Sequence, residues 1–232
     1  MNIADKLTTI AENEQKVYDA GYNLGDYNHG LQIWQNIFGH ITDNLYQRVF
    51  QLLDFSNYEF VKPIAPKGNA NCSLMFCSYK GEYLPKNLDF SGVSSSANIT
   101  SIFSWATNLL EIPDIGLPAM NSYAEFVHAA YRLKKIEIMR VHKDTAFSNA
   151  FIYSGNMKLE EIYFEGEIGQ NLNFGKCPNL IHNSLMNIIE HLYDYASEGS
   201  AETYTLTLGS TNLAKLSSDE IAIGEAKGWV IK

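Results

Sequence analysis

Apolar residues along this chain follow two periods. Over the first quarter, Ile3, Ile10, Val17, Leu24, Leu31, Phe38, Leu45 and Leu52 recur at intervals of seven. A helix needs that recurrence to keep one seam against a partner. The companion seam is half polar, since Leu7 is followed by Glu14, Gly21, Asn28, Gln35, Thr42 and Val49. Gly21, Gly25 and Gly30 interrupt the pattern, because glycine costs about 1 kcal/mol relative to alanine inside a helix. The pattern predicts two helices, over about 3–20 and 31–54, joined by a segment rich in Gly, Asn and Tyr. They read as a coiled-coil-like oligomerisation or docking arm with Ile3, Leu7, Ile10, Val17, Leu24 and Leu31 on its seam, or as a cap on the domain that follows.

From about residue 57 the period changes. "LMFCSYKGEYLPKNLDFSG", "SIFSWATNLLEIPDI", "EFVHAAYRLKKIEIM" and "NAFIYSGNMKLEEIYFEG" can be laid over one another. Each carries a leading Phe (Phe76, Phe103, Phe126, Phe151), with gaps of 27, 23 and 25 residues. A Leu and a short alternating stretch follow: 84–90, 109–115, 133–138 and 159–164. Alternation over that length predicts a strand with one buried face. The Phe-led part, with small residues such as Ala129 and Ala130, predicts a turn or short helix crossing to the next strand. A period of 20 to 29 with a Leu-x-x-Ile-x-Ile core is the spacing of a leucine-rich repeat. Such units bury their apolar faces only by stacking, with the strands in a parallel sheet.

The end of the chain departs from this period, as the terminal unit of a stack should. "NSLMNIIEHLYDYA" (183–196) has helical spacing, with Ser184 as a candidate cap. "TYTLTLG" reads as a strand. "LSSDEIAIGEAKG" reads as a helix capped by Ser217 or Ser218 and ended by Gly228, and "WVIK" as a last strand. The expected fold class is α/β: a helical arm over 1–56, a leucine-rich repeat solenoid over 57–180, and an α/β capping unit over 181–232.

The stretches "IADKLTTIAENEQKVYDAG", "LEEIYFEGEIGQNLNF" and "TYTLTLGSTNLAKLSSDEIAIGEAKGWVIK" resemble the tail-associated leucine-rich repeat proteins of phages and prophages of Gram-positive bacteria, whose repeats are similar to those of BspA-like surface proteins. The resemblance covers about half the chain: the two ends and the last repeat. It implies a virion structural protein, a tail-fibre or baseplate component, made in the host cytoplasm and released by lysis. The implied partners are further copies of the chain (a trimer, by the habit of tail fibres), other tail or baseplate proteins, and a host-surface glycan or protein. The resemblance brings no catalytic motif. Two alternatives are a host-encoded BspA-like adhesin and a tail-associated carbohydrate hydrolase.

Composition narrows the function classes. With 46% hydrophobic and 12% aromatic residues, a sizeable core is expected. A formal charge of −9 disfavours nucleic acid, whose binding needs Lys and Arg to displace counterions, and equally a polybasic membrane contact. No apolar run approaches the roughly 20 residues of a membrane span, so no membrane insertion is expected, and no secretory signal is visible. Three cysteines, Cys72, Cys77 and Cys177, do not make a disulfide framework and are expected as buried thiols.

Candidate chemistry is sparse. A large aromatic follows three of the repeat Phe residues, as Tyr79, Trp105 and Tyr153, with Tyr131 later in the remaining copy. If exposed, these four form an aromatic row suited to sugar rings; otherwise they are core. Glu160, Glu161, Glu165 and Glu167 cluster, and two carboxylates across a sugar are what a glycosidase needs, but an acidic solvated edge has the same look. His191 and Asp194 stand one helical turn apart, without a nucleophile beside them. The asparagines near repeat boundaries, Asn171 and Asn173 among them, read as turn formers. No GxGxxG, P-loop or HExxH motif occurs. The expectation is a binding protein without catalytic residues, metal or cofactor.

Overall fold

The alternating stretches form short strands, and these pair in one direction only. The structure is a computed structural model that describes residues 46, 47, 50–52, 54–56, 59–200 and 202–232. Strand β1 (Glu59–Ile64) pairs in parallel with β2 (Lys86–Leu88). Strands β3 (Glu111–Ile112), β4 (Lys135–Val141) and β5 (Glu161–Gly166) form a second parallel sheet with Ile136 opposite both Ile112 and Ile162. Two bonds carry the ladder from β2 to β3: Phe90 N–H donates to Ile115 O at 2.7 Å and Leu110 N–H to Glu82 O at 2.9 Å. Ile112, Ile136 and Ile162 point inward, as the alternation requires, while Glu111, Glu137 and Glu165 face solvent.

Opposite the strands, the Phe-led segments are runs of overlapping turns. Met75 N–H donates to Cys72 O, Cys77 N–H to Leu74 O and Tyr79 N–H to Phe76 O, at 3.0–3.2 Å. One position in every run, and a second in the first three, adopt positive φ. Leu74, Ser101, Glu125 and Asn149 fill one, with φ between 52° and 57°; Ser78, Trp105 and Ala129 fill the other, between 57° and 61°. A left-handed conformation costs an L-residue roughly 1–2 kcal/mol. What offsets that cost is a second ladder, running from turn to turn. Phe76 N–H donates to Ile102 O, Phe103 N–H to Phe126 O and Val127 N–H to Ala150 O, at 2.8–3.0 Å.

This ladder shifts the expected register by one residue in the third copy. Phe103 stands beside Val127, not Phe126, so the spacings are 27, 24 and 24. The misreading has a physical cause: two consecutive residues point inward in each run. Met75–Phe76, Ile102–Phe103, Phe126–Val127 and Ala150–Phe151 are all buried, and the larger member changes place. The rings fill the space under the strands. Phe50 and Phe76 stack at 4.8 Å, Phe76 and Phe103 at 5.4 Å, and Phe103 meets Phe126 edge-on at 5.3 Å.

The run begins upstream of residue 57. Tyr46 N–H donates to Asn71 O and Phe50 N–H to Met75 O, and Leu52 has φ of 65°. Of the described residues between 46 and 56, those at 47, 50–52 and 56 are in turns and none is helical, where the spacing predicts the last turns of a helix over 31–54.

After β5 the two sides exchange element types. Helix α1 (His182–Glu190) takes the next place beside β5. Ser184 Oγ accepts from Ile162 N–H at 3.1 Å and Asn187 Oδ1 from Phe164 N–H at 2.7 Å. Ser184 is thus no helix cap; the N-cap is Ile181. The helix is shorter than its spacing predicts because Leu192 turns back to bridge Ile168. On the turn side the chain becomes extended: β6 (Leu172–Asn173), β7 (Tyr204–Thr207) and β8 (Trp229–Ile231) form a third parallel sheet. A short helix α2 (Ser210–Leu213) leads to α3 (Ser218–Ala226), which packs on α1 and β8. Ser217 and Glu220 form a reciprocal capping box at the start of α3.

Gly166 and Gly169 allow the coil after β5 to lie against its predecessor. A Cβ at Gly166 would stand 1.9 Å from Val141 O, and one at Gly169 2.2 Å from Lys143 O, distances that exclude any side chain.

Candidate functional site

Of the four candidate aromatics, the structure brings three together. Trp105 sits at a positive-φ position, which turns its side chain out of the run and leaves it 52% exposed. Two rungs further on is Tyr153. The counterpart between them is Ala129, which carries only a methyl group. With that place empty, the Trp105 and Tyr153 rings lean across it and meet edge-on at 6.5 Å. Tyr131, 38% exposed, stacks on Tyr153 at 5.7 Å and 24°. Ala129 is fully buried beneath them.

Tyr79 does not join the cluster and is not a surface residue. It follows Ser78, the counterpart of Trp105, so its own counterpart is the buried Ala106 and it points inward. Its ring meets Phe76 edge-on at 5.6 Å. Its hydroxyl accepts from Phe55 N–H at 2.9 Å and donates to Tyr83 O at 3.0 Å. Burial pushes its pKa upward. The seam residues Ile3, Leu7, Ile10, Val17, Leu24 and Leu31 lie outside the described residues.

Two neighbours of the rings carry no signal in the residue pattern. His128 packs on Trp105 at 6.0 Å, and its Nδ1 is buried without a hydrogen-bond partner. Arg132 follows Tyr131 and pairs with Glu82 at 3.3 Å, its Nη1 reaching Asn108 Oδ1 at 3.5 Å. The missing signal was the gap at Ala129, visible only once the spacing of 24 residues is known. Together the residues make an aromatic surface with a cation, Arg132, one residue along the chain from Tyr131.

The carboxylates are arranged differently from a hydrolytic pair. Glu165 is bound to Arg140 at 3.1 Å, and Glu167 lies beyond the end of β5. Arg140 also holds Asp114 through two hydrogen bonds of 2.9 and 2.6 Å. Those bonds, with Gly116 N–H donating to the same carboxylate, hold the Asp114 pKa below its ordinary value against partial burial. His191 bonds Asn187 O at 2.8 Å, while Asp194 accepts from Ser197 N–H. Both lie past the end of α1, so the helical spacing does not apply to them.

Cys72, Cys77 and Cys177 are free and buried; burial pushes the Cys72 and Cys177 thiols up to about 12. Among the described residues no group of three or more His, Cys, Asp or Glu side chains is placed to hold a metal ion, and no helix is long and apolar enough to cross a membrane. No protein-family model, no curated protein and no solved structure matches this chain.

Proposed function

We propose that the chain is a display and recognition module of leucine-rich repeat type, a component of a phage tail fibre or baseplate that contacts carbohydrate on the host surface through Trp105, Tyr131 and Tyr153. The parallel pairing of successive strands and the turn-to-turn ladder at spacings of 24–27 residues support the repeat reading, because each coil buries its apolar face only against its neighbours. The tail assignment rests on the resemblance of the two ends and the last repeat.

The observation that carries recognition is the exposed ring cluster. Trp and Tyr offer a large rigid face and a polar handle at low conformational cost. The apolar C–H faces of a sugar match such a surface, and Arg132, next to Tyr131 in sequence, is a donor for its hydroxyls. Partners of this kind need no catalytic group, metal or cofactor.

The test is retention of the full chain on purified Gram-positive cell wall, compared with Trp105→Ala and Tyr131→Ala. Both side chains are exposed, so the variants are expected to keep the wild-type circular dichroism. Each is expected to weaken retention at least about tenfold, or ~1.4 kcal/mol. Unchanged retention by folded variants would remove the ring cluster from the account. Release of reducing ends during incubation would favour the hydrolase over the binder.

A further inference from the structure

A second place on the molecule has the chemistry of a ligand site, and none of the ring-cluster residues takes part in it. Where the chain changes from turns to strands, the last run of turns (147–152) faces the sheet of β6 and β7 across a cleft of about 250 Å³. Leu172 and Leu206 are opposite one another and buried, so strand alternation puts Asn171, Asn173, Thr205 and Thr207 on the outer face. Asn149 and Lys232 also line the cleft. Phe147, Ala150, Ile152 and Leu172 line it as well, and of these only Ile152 is more than slightly exposed.

The hydrogen-bonding capacity of this lining is largely unspent. Asn171 Oδ1 accepts from Thr205 N–H at 2.7 Å, and Asn173 Oδ1 from Gly175 N–H at 2.9 Å. Those bonds fix both amides by their oxygens and leave both NH₂ groups as donors. Among the described residues, the side chains of Asn149, Thr205, Thr207 and Lys232 make no hydrogen bond. The cleft thus offers amide donors, two hydroxyls that donate or accept, and one ammonium. No Asp or Glu side chain lines it, although the chain carries 26 acidic residues. The size of the cleft, below the roughly 300–1,000 Å³ of pockets for drug-sized molecules, admits one ring-sized group.

We infer that this cleft binds a single sugar unit, neutral or carrying one acidic group, with its hydroxyls on the Asn and Thr side chains. The inference takes its setting from the carbohydrate reading above, but it stands on separate residues. The two sites can therefore fail separately.

The experiment is a titration of the ¹⁵N-labelled full chain with glucose, rhamnose, N-acetylglucosamine and glucuronic acid in turn. It follows the side-chain amide signals of Asn149, Asn171 and Asn173 together with the indole signal of Trp105. At least one sugar is expected to shift the amide signals saturably. Thr205→Val, which removes a hydroxyl at constant shape, is expected to weaken that response at least tenfold and to leave the Trp105 response unchanged. Lys232→Met, at an exposed position, is expected to weaken glucuronic acid selectively if the acidic sugar is the one bound. Sugars that move the Trp105 indole alone would overturn the cleft and leave the ring cluster standing. Sugars that move the amides alone would keep the cleft and remove the ring cluster. A response at neither place, or an amide response unaltered in Thr205→Val, would overturn the cleft proposal.

Discussion

Ser78 shows how much of this architecture is carried by backbone conformation. It is half-buried, with φ of 57°, and its hydroxyl has only a weak contact of 3.8 Å to the Cys77 thiol. Glycine at such a position loses the left-handed penalty of roughly 1–2 kcal/mol but adds freedom to the unfolded chain. Ser78→Gly is therefore expected to raise stability by about 0.5–1 kcal/mol, read as a higher denaturant midpoint, whereas most Ser→Gly changes lower it. Nothing in the residue types marks these positions: Leu74, Ser101, Trp105, Glu125 and Ala129 are not the Gly or Asn that left-handed turns favour. Hence the runs read in sequence as turns or short helices, and the outward turn of Trp105 and inward turn of Tyr79 were not legible. Asp114 gives a second expectation. Its carboxyl titrates below the ordinary value, so the stabilisation it brings is present above about pH 4 and is lost as pH falls through the lowered folded value. Asp114→Asn is expected to flatten the acid limb of the stability profile below pH ~4, by less than about 1 kcal/mol because the pair is about a third exposed. Equal acid sensitivity in mutant and wild type would show that the bonds to Arg140 do not matter to folding.

Among the elements, α1 has the clearest task. Strand β5 would otherwise present a row of unpaired amides, the template on which sheets aggregate. The hydroxyl of Ser184 and the amide of Asn187, three residues apart on one helix face, take up the Ile162 and Phe164 N–H groups. Leaving a buried donor without a partner costs about 1–3 kcal/mol. Ser184→Ala with Asn187→Leu is expected to lower stability by about 2–6 kcal/mol and to increase aggregation on mild heating, followed by light scattering. Wild-type stability in the double variant would mean that water or backbone satisfies the edge. The strands at 135–141 and 161–166 were legible because Leu-x-x-Ile-x-Ile/Phe alternates cleanly, and α3 because its capping box and Gly228 mark both ends. The end of α1 was not, since Leu192 and Tyr193 continue the helical spacing while serving a bridge to Ile168. The cleft was not legible either, because its two walls come from segments more than 50 residues apart, Asn149 and Thr205–Thr207.

At the scale of the whole molecule, contacts between elements follow the order of stacking: β1 with β2, β3 with β4, β4 with β5, β5 with α1, and α1 with α3. A chain built this way has strand edges to protect, and among the described residues the edge of β5 is covered by α1. The seven-residue apolar recurrence upstream predicts association, and light scattering on the full chain measures it. A trimer mass is expected, three times 26.1 kDa; a monomer would remove the self-assembling fibre and leave a tail-docked or capping role for the arm.

The exchange of strands for helices after β5 also sets a rule for how such a molecule changes length. Each coil before that point offers the next a backbone ladder indifferent to side chains, so a whole duplicated coil of 24–27 residues inserted there would meet the same hydrogen bonds on both faces. On the strand side beyond β5 the contact is written in particular residues, Ser184 and Asn187, so a copied coil inserted there would have to supply both side chains again. The strand side is therefore open to lengthening ahead of β5, and tied to two side chains after it.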